Sequence, residues 1–192
     1  KGKVLSGTVD YGNHQTSALS DSEKRQGFAL FCQARPLGDV VIECREVGAT
    51  RDIQIRTLPA RVQKMQKLAP DIMLVELKLP ASERLQFLAG QYIDILLKDG
   101  SRRSFSMANA PHDDAVLQLH MRNYGGPFST HVFSAMKERD ILRFEGPLGT
   151  FYLRETSEKP TILLASGTGF APVKALLEHA FHAHSARPLI LY

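Results

Sequence analysis

The chain has 192 residues, a formal net charge of +4 and 43% hydrophobic residues. That length suits one or two domains with a real core, and the composition excludes wholesale disorder. The surplus of Lys and Arg is small and dispersed, which argues against a dedicated nucleic-acid binder. No apolar run approaches the ~18 residues of a membrane-spanning helix. The opening Lys1-Gly2-Lys3-Val4 lacks the apolar core of a signal peptide. Two cysteines, Cys32 and Cys44, cannot build a disulfide scaffold. A cytoplasmic protein with neither membrane nor nucleic-acid partner is expected.

Residues 1 to 55 alternate polar loops with short apolar runs. Cys32 lies in Leu30-Phe31-Cys32-Gln33-Ala34. On its own it reads as a small buried apolar residue. Cys44, after Val41-Ile42-Glu43, reads as a strand residue.

The middle of the chain reads as antiparallel β. In Ile72 to Leu79, Met73, Val75, Leu77 and Leu79 share one face, and Glu76 and Lys78 take the other. Tyr92 to Leu97 is a second strand, ended by the turn pair Asp99-Gly100. Val116 to Arg122 sends Leu117, Leu119 and Met121 one way and Gln118, His120 and Arg122 the other. Ile141 to Phe144 is a fourth strand, closed by Gly146-Pro147. Many short strands with turn signals predict a barrel or sandwich. One helix interrupts them, because Phe128, Val132, Phe133 and Met136 share a helical face.

The end of the chain changes character. Thr161 to Ala165 is a continuous apolar run, as in a strand buried on both faces. Ser166-Gly167-Thr168-Gly169 makes a turn, and Pro172 suits the first turn of a helix. Val173, Leu176, Leu177, Ala180 and Phe181 recur at helical spacing, and Pro188 to Tyr192 begins a second buried strand. A βαβ unit is expected, opening a larger parallel sheet.

Three motifs could carry chemistry. In Arg102-Arg103-Ser104-Phe105-Ser106, Arg103 can clasp a phosphate and Phe105 can stack on a flat ring. Ser106 can hydrogen-bond a ring heteroatom. A basic turn entering a half-buried strand explains the same residues. In Gly125-Gly126-Pro127-Phe128-Ser129-Thr130, the glycines permit close approach, and Ser129 or Thr130 can cap the helix. Free amides there attract an anion such as pyrophosphate; a plain turn and cap is the alternative. Gly167-Thr168-Gly169-Phe170-Ala171-Pro172 is a phosphate turn or a tight βα connection, with Pro172 where a dinucleotide fingerprint has its third glycine. The seven histidines suggest no metal set, and no nucleophile elbow is present.

In combination and order, these motifs resemble the ferredoxin-NAD(P)H reductase superfamily. The likeness is to the oxygenase-reductase type with an N-terminal plant-type ferredoxin domain, and within it to the bacterial CDP-6-deoxy-glucoseen reductase-like branch. It runs along essentially the whole chain. Leu30 to Asp39 resembles the segment around the fourth cluster cysteine. Gly90-Gln91-Tyr92 and Arg103 to Ser106 resemble the flavin-barrel signatures, and Gly125 to Thr130 the flavin pyrophosphate segment. Gly146 to Phe151 resembles the barrel's exit loop, and Gly167 to Pro172 the nicotinamide-nucleotide turn.

The resemblance implies a Greek-key flavin barrel after a β-grasp ferredoxin remnant and before a parallel α/β nucleotide-binding domain. The expected boundaries are 1–55, 56–156 and 157–192. It implies that NAD(P)H reduces FAD, which passes single electrons to a [2Fe–2S] cluster and on to a partner, an oxygenase or sugar dehydratase component. Arg103 and Ser104 would hold the FAD phosphates and ribityl region, and Phe105 would pack on the flavin. Ser106, near flavin N5, is the candidate catalytic residue. His120, Met121 and Arg122 would line the flavin strand; Gly125, Gly126, Ser129 and Thr130 would bind pyrophosphate. Gly167, Thr168, Gly169 and Pro172 would face NAD(P)H, and Cys32 would be a metal ligand. A plant-type cluster needs a C-x4-C-x2-C run besides that cysteine, so the cluster is expected in an intact parent only. Relatives with an N-terminal ferredoxin domain use FAD rather than FMN. A flavin- or nucleotide-binding module without turnover, or a non-catalytic barrel interaction domain, remains an alternative.

Overall fold

The clearest period-two segments of the sequence become strands of one antiparallel sheet, and the glycine turn near its end joins strand to helix. The structure, a computed structural model, describes residues 1–43, 50 and 52–192. Cys44 lies outside them. The chain forms two compact units, Lys1–Gly48 and Ala49–Tyr192.

In the first unit, β1 (Gly2–Ser6), β2 (Val9–Asp10), α1 (Asp21–Arg25), β3 (Phe28–Ala29), β4 (Arg35–Pro36) and β5 (Val41–Ile42) follow in order. β1 pairs antiparallel with both β3 and β5, and β2 pairs with β4. α1 begins with a reciprocal cap. The Ser20 hydroxyl accepts from the Glu23 amide, and the Glu23 carboxylate accepts from the Ser20 amide. Leu19 and Ala29 are fully buried. Cys32 is exposed, against the expectation of a buried apolar residue. The turn closed by Gln33 N–H and Ala34 N–H on the Leu30 carbonyl (2.8 and 2.7 Å) leaves it outside the sheet.

The second unit is built on β6 (Arg56–Ala69), β7 (Ile72–Lys78), β8 (Tyr92–Leu96), β9 (Arg102–Ser106), β10 (Leu117–Arg122) and, beyond helix α2 (Pro127–Ser134), β11 (Ile141–Leu148). The strands lie in the order β10-β7-β6-β11-β8-β9. The two edges meet where Met107 bridges to Leu119 and the Ala108 amide donates to Gln118 O (2.7 Å). Closure removes the exposed edges an open sheet would carry. Inside lie Leu58, Val62, Val75, Leu77, Ile93, Ile95, Met107, Leu117, Leu119, Met121 and Phe144, each at most 6% exposed. Phe128, Val132 and Met136 of the α2 region plug one end, with Phe133 partly buried beside them.

One strand and one helix differ from the sequence reading. β11 runs through Gly146-Pro147 instead of stopping at Phe144. Its pairing with β8 is irregular between Glu145 and Leu148, where a proline costs no ladder hydrogen bond. Helix α2 starts at Pro127 with Gly126 as its N-cap and no side-chain cap. Proline at the first position moves the start upstream of Ser129 and Thr130. Ser129 instead donates its hydroxyl to Gly126 O at 3.1 Å.

The segment Gly90-Gln91-Tyr92 is a staple. Gln91, 3% exposed, accepts from the Leu88 amide (2.8 Å) and donates to Gly149 O (3.0 Å). Gly90 has φ +96°, and a Cβ there would sit 2.3 Å from Phe151 O. Gly90→Ala is expected to destabilise the unit by about 1–3 kcal/mol. A urea midpoint equal to that of the unmodified chain would show that the loop carrying Phe151 yields freely.

Past the barrel, β12 (Thr161–Leu163), a 3₁₀ turn (Gly167–Gly169), α3 (Phe170–His182) and β13 (Leu189–Leu191) form a parallel βαβ unit. α3 buries Ala171, Val173, Ala175, Leu176 and Ala180. One face of the strands is bare: Ile162 is 68% exposed and Leu164 78%. Within the described residues the strand at Thr161–Leu163 is buried on one face, toward α3. A single helix covers a two-stranded sheet from one side only, and Phe181 points away from it, 69% exposed.

Candidate functional site

The end of β9, the outward face of β10, the start of α2 and the 3₁₀ turn converge on one cleft of about 470 Å³. Its walls include Arg103, Ser104, Phe105, Ser106, His120, Arg122, Gly126, Ser129, Thr168 and Gly169, all singled out from the sequence. Residues 66 positions apart in the chain thus line one cleft.

Alternation along β10 decides which of its side chains reach it. Met121, expected to line the site, is 1% exposed and points into the barrel. Its neighbours His120 and Arg122 take the outward face, as a period of two demands. Gly125, Thr130, Gly167 and Pro172 flank the cleft without lining it. Gly125 has φ +77°, and its amide donates to the Asn123 side chain (3.0 Å), so it makes the turn. The Thr130 amide is spent on Gly126 O (2.9 Å), the first bond of the helix. Pro172 sits in the first turn of α3. Pro127, Phe128 and Ala171, which lie within the sequence motifs without a site role of their own, and Tyr124, which lies outside them, also line the cleft. Tyr124, 77% exposed beside two glycines, is the one with a visible signal: a large aromatic ring with no core to enter.

The two neighbouring arginines differ. Arg102 is paired with Glu145 on the outer face. Arg103 makes no ion pair among the described residues; its guanidinium donates to Arg102 O at 2.7 Å and lines the cleft. Ser104 lines the cleft too, but its hydroxyl donates to Asp94 (2.6 Å). Phe105 packs against Phe128, ring centroids 5.9 Å apart. The N–H groups of Phe128 and Ser129 precede the first intrahelical bond and carry the positive end of the helix dipole. Arg122 is held by Asp71 (2.6 Å) beside the Tyr124 ring (5.5 Å). Burial lowers the pKa of His120, and the nearby Lys174 cation lowers it further, against the opposing pull of Glu178. At neutral pH, His120 therefore presents an uncharged imidazole.

Residues 59–152 match the profile of the oxidoreductase FAD-binding domain. These residues form an FAD-binding oxidoreductase domain of the ferredoxin reductase family. It is 35% identical over 193 residues to CDP-6-deoxy-L-threo-D-glycero-4-hexulose-3-dehydrase reductase of Yersinia pestis, covering 100% of this chain and 57% of that protein. It is 36% identical over 196 residues to the reductase subunit of an aromatic O-demethylase of Amycolatopsis, covering 99% of this chain and 58% of that one. Among solved structures, an Amycolatopsis cytochrome P450 reductase superposes with TM-score 0.71 and 36% identity, covering 100% of this chain and 59% of that chain. The chain thus spans a little over half the length of these relatives.

The lining of the cleft suits a dinucleotide: the Arg103 guanidinium, without an ion pair among the described residues, the amides at the start of α2, and the rings of Phe105 and Tyr124. A [2Fe–2S] cluster does not fit the described residues. Cys32 is the single cysteine among them, and no three His, Cys, Asp or Glu side chains gather there as a metal site. No helix of the described residues is long and apolar enough to cross a membrane.

Proposed function

We propose that the cleft binds FAD and that the chain serves a reductase. That reductase passes electrons from NAD(P)H through FAD to a [2Fe–2S] centre and on to a partner protein, an oxygenase or sugar dehydratase component. The observation that carries this is the convergence of Arg103, the free amides of Phe128 and Ser129, and the rings of Phe105 and Tyr124 on one cleft. Bound FAD would accept an electron pair from a reduced nicotinamide and release electrons singly.

The protein's own groups bind and orient. Arg103 and the α2 amides compensate a diphosphate. Phe105, steadied by Phe128, packs on a flat ring. Tyr124 has an open face on which an adenine can stack. Ser106 places a hydroxyl where a ring nitrogen can accept from it or donate to it. Ser104, committed to Asp94, supports the strand and offers its backbone. The Gly167–Gly169 turn lets backbone amides approach a nicotinamide nucleotide, and Pro172 stiffens the helix behind it. In this reading Cys32 serves as the fourth cluster ligand of a longer protein. A reaction that consumes reduced nicotinamide suits the cytoplasm.

Titration of the chain with FAD, followed by flavin absorbance, tests the proposal; no binding sinks it. Reduction of the bound flavin by NADH separates a reductase from a flavin-binding module without turnover. FMN lacks the adenylate and cannot use Tyr124. Refolding with equimolar FMN and FAD is expected to retain FAD at least tenfold over FMN, about 1.4 kcal/mol. Mass analysis of the released flavin reads the ratio, and a predominance of FMN would overturn the assignment.

A further inference from the structure

Lys174, in the second turn of α3, belongs to none of the motifs above. Its ammonium donates to Ala108 O (3.0 Å) and to Gln118 Oε1 (3.4 Å), and it pairs with Glu178 at 2.6 Å one turn on. An ammonium has three donors, so each proton has an acceptor. The two barrel acceptors stand at a particular place. Ala108 and Gln118 are the residues whose backbones join where the barrel closes, next to the Met107–Leu119 bridge. Charge-assisted bonds to a partly buried carbonyl are stronger than neutral ones. The side chain of Lys174 is 29% exposed, so water screens it only in part.

This contact bears on the cleft. The Gly167–Gly169 turn leads directly into α3, and Thr168, Gly169 and Ala171 form one wall of the cleft. His120 and Ser106 belong to the barrel side.

We propose that Lys174 is a positioning residue that clamps α3 to the closing seam of the barrel and thereby sets the opening of the cleft. The clamp stands on the contacts alone; its consequence for flavin binding rests on the function proposed above. His120 is a built-in reporter of it. The charged groups on the elements packed around His120 include Lys174 and Glu178 on α3, Arg122 on its own strand, Arg103 on β9 in the same cleft, and Glu76 diagonally across on β7. The Lys174 cation disfavours the imidazolium, and Glu178 favours it.

The test uses the ligand-free 192-residue chain. The His120 titration is followed by NMR, and amide exchange is followed at Thr168 to Ala171. Lys174→Met is expected to raise the His120 midpoint, because the cation is gone and Glu178 is no longer offset. It should speed exchange at Thr168 to Ala171 about tenfold, with β11 unchanged. Lys174→Arg should restore both. Glu178→Gln keeps the clamp and should move His120 the other way, downward. An unmoved midpoint or unchanged exchange in Lys174→Met overturns the clamp. Should that variant fail to fold, unchanged exchange at Thr168 to Ala171 in Lys174→Ala overturns it. FAD titration of the same proteins separates the two ideas. A wild-type chain that binds no FAD rejects the flavin reading, while the NMR result still decides the clamp.

Discussion

Replacing Arg103 by alanine is expected to weaken FAD binding roughly 10- to 150-fold, the equivalent of about 1.5–3 kcal/mol for a charge-assisted hydrogen bond. The size of the effect follows from what the free protein does with this side chain. Arg103 is not tied up in an ion pair among the described residues and gives one hydrogen bond to its neighbour's carbonyl. Little must be broken before it can meet a phosphate. Arg102 is the internal control. It spends its guanidinium on Glu145 across the outer face. Exposed pairs contribute little to stability, so Arg102→Ala should leave both folding and FAD affinity nearly unchanged. Equal losses in the two variants, measured by flavin titration, would show that the phosphate contact belongs elsewhere.

Phe144→Ala carries the largest expected cost in stability, about 3–5 kcal/mol. The ring is fully buried on β11 and sits between Leu58 of β6 and Ile95 of β8 in the strand register. Its removal leaves a cavity walled by backbone that is hydrogen-bonded on both sides, so the site collapses poorly. A loss of that order is a large share of the total stability of an ordinary domain. Urea unfolding followed by far-ultraviolet circular dichroism reads it, since the chain has no Trp to report by fluorescence. A loss below about 1 kcal/mol would place the centre of the core away from this strand.

What the sequence by itself determined is local. The period-two runs of β7, β8 and β10 were legible because alternation survives wherever one face of a strand is buried. The α2 face was legible from Phe128, Val132 and Met136, and the βαβ unit from the glycine turn before Pro172. β6 was not recognised, although it is the longest strand. Leu58, Ala60 and Val62 keep the alternation, but the register slips between Val62 and Lys64 and again between Lys67 and Ala69. A bulge changes the phase of the pattern, so no single period describes the segment. The motif residues of the cleft were likewise legible as residue types, and most of them do meet. Which of them turn toward it was a matter of strand phase and barrel closure: Met121 turns inward, and Ser104 is claimed by Asp94. The contributions of Tyr124, Phe128 and Ala171, and the reach of Lys174 to Ala108, come from segments up to 68 positions apart. Such meetings depend on how the strands wind into a closed barrel, and no local spacing encodes them. The same holds for Ile162 and Leu164. Their apolar character marked a strand, but burial is a property of what packs against it, and here α3 covers one side alone.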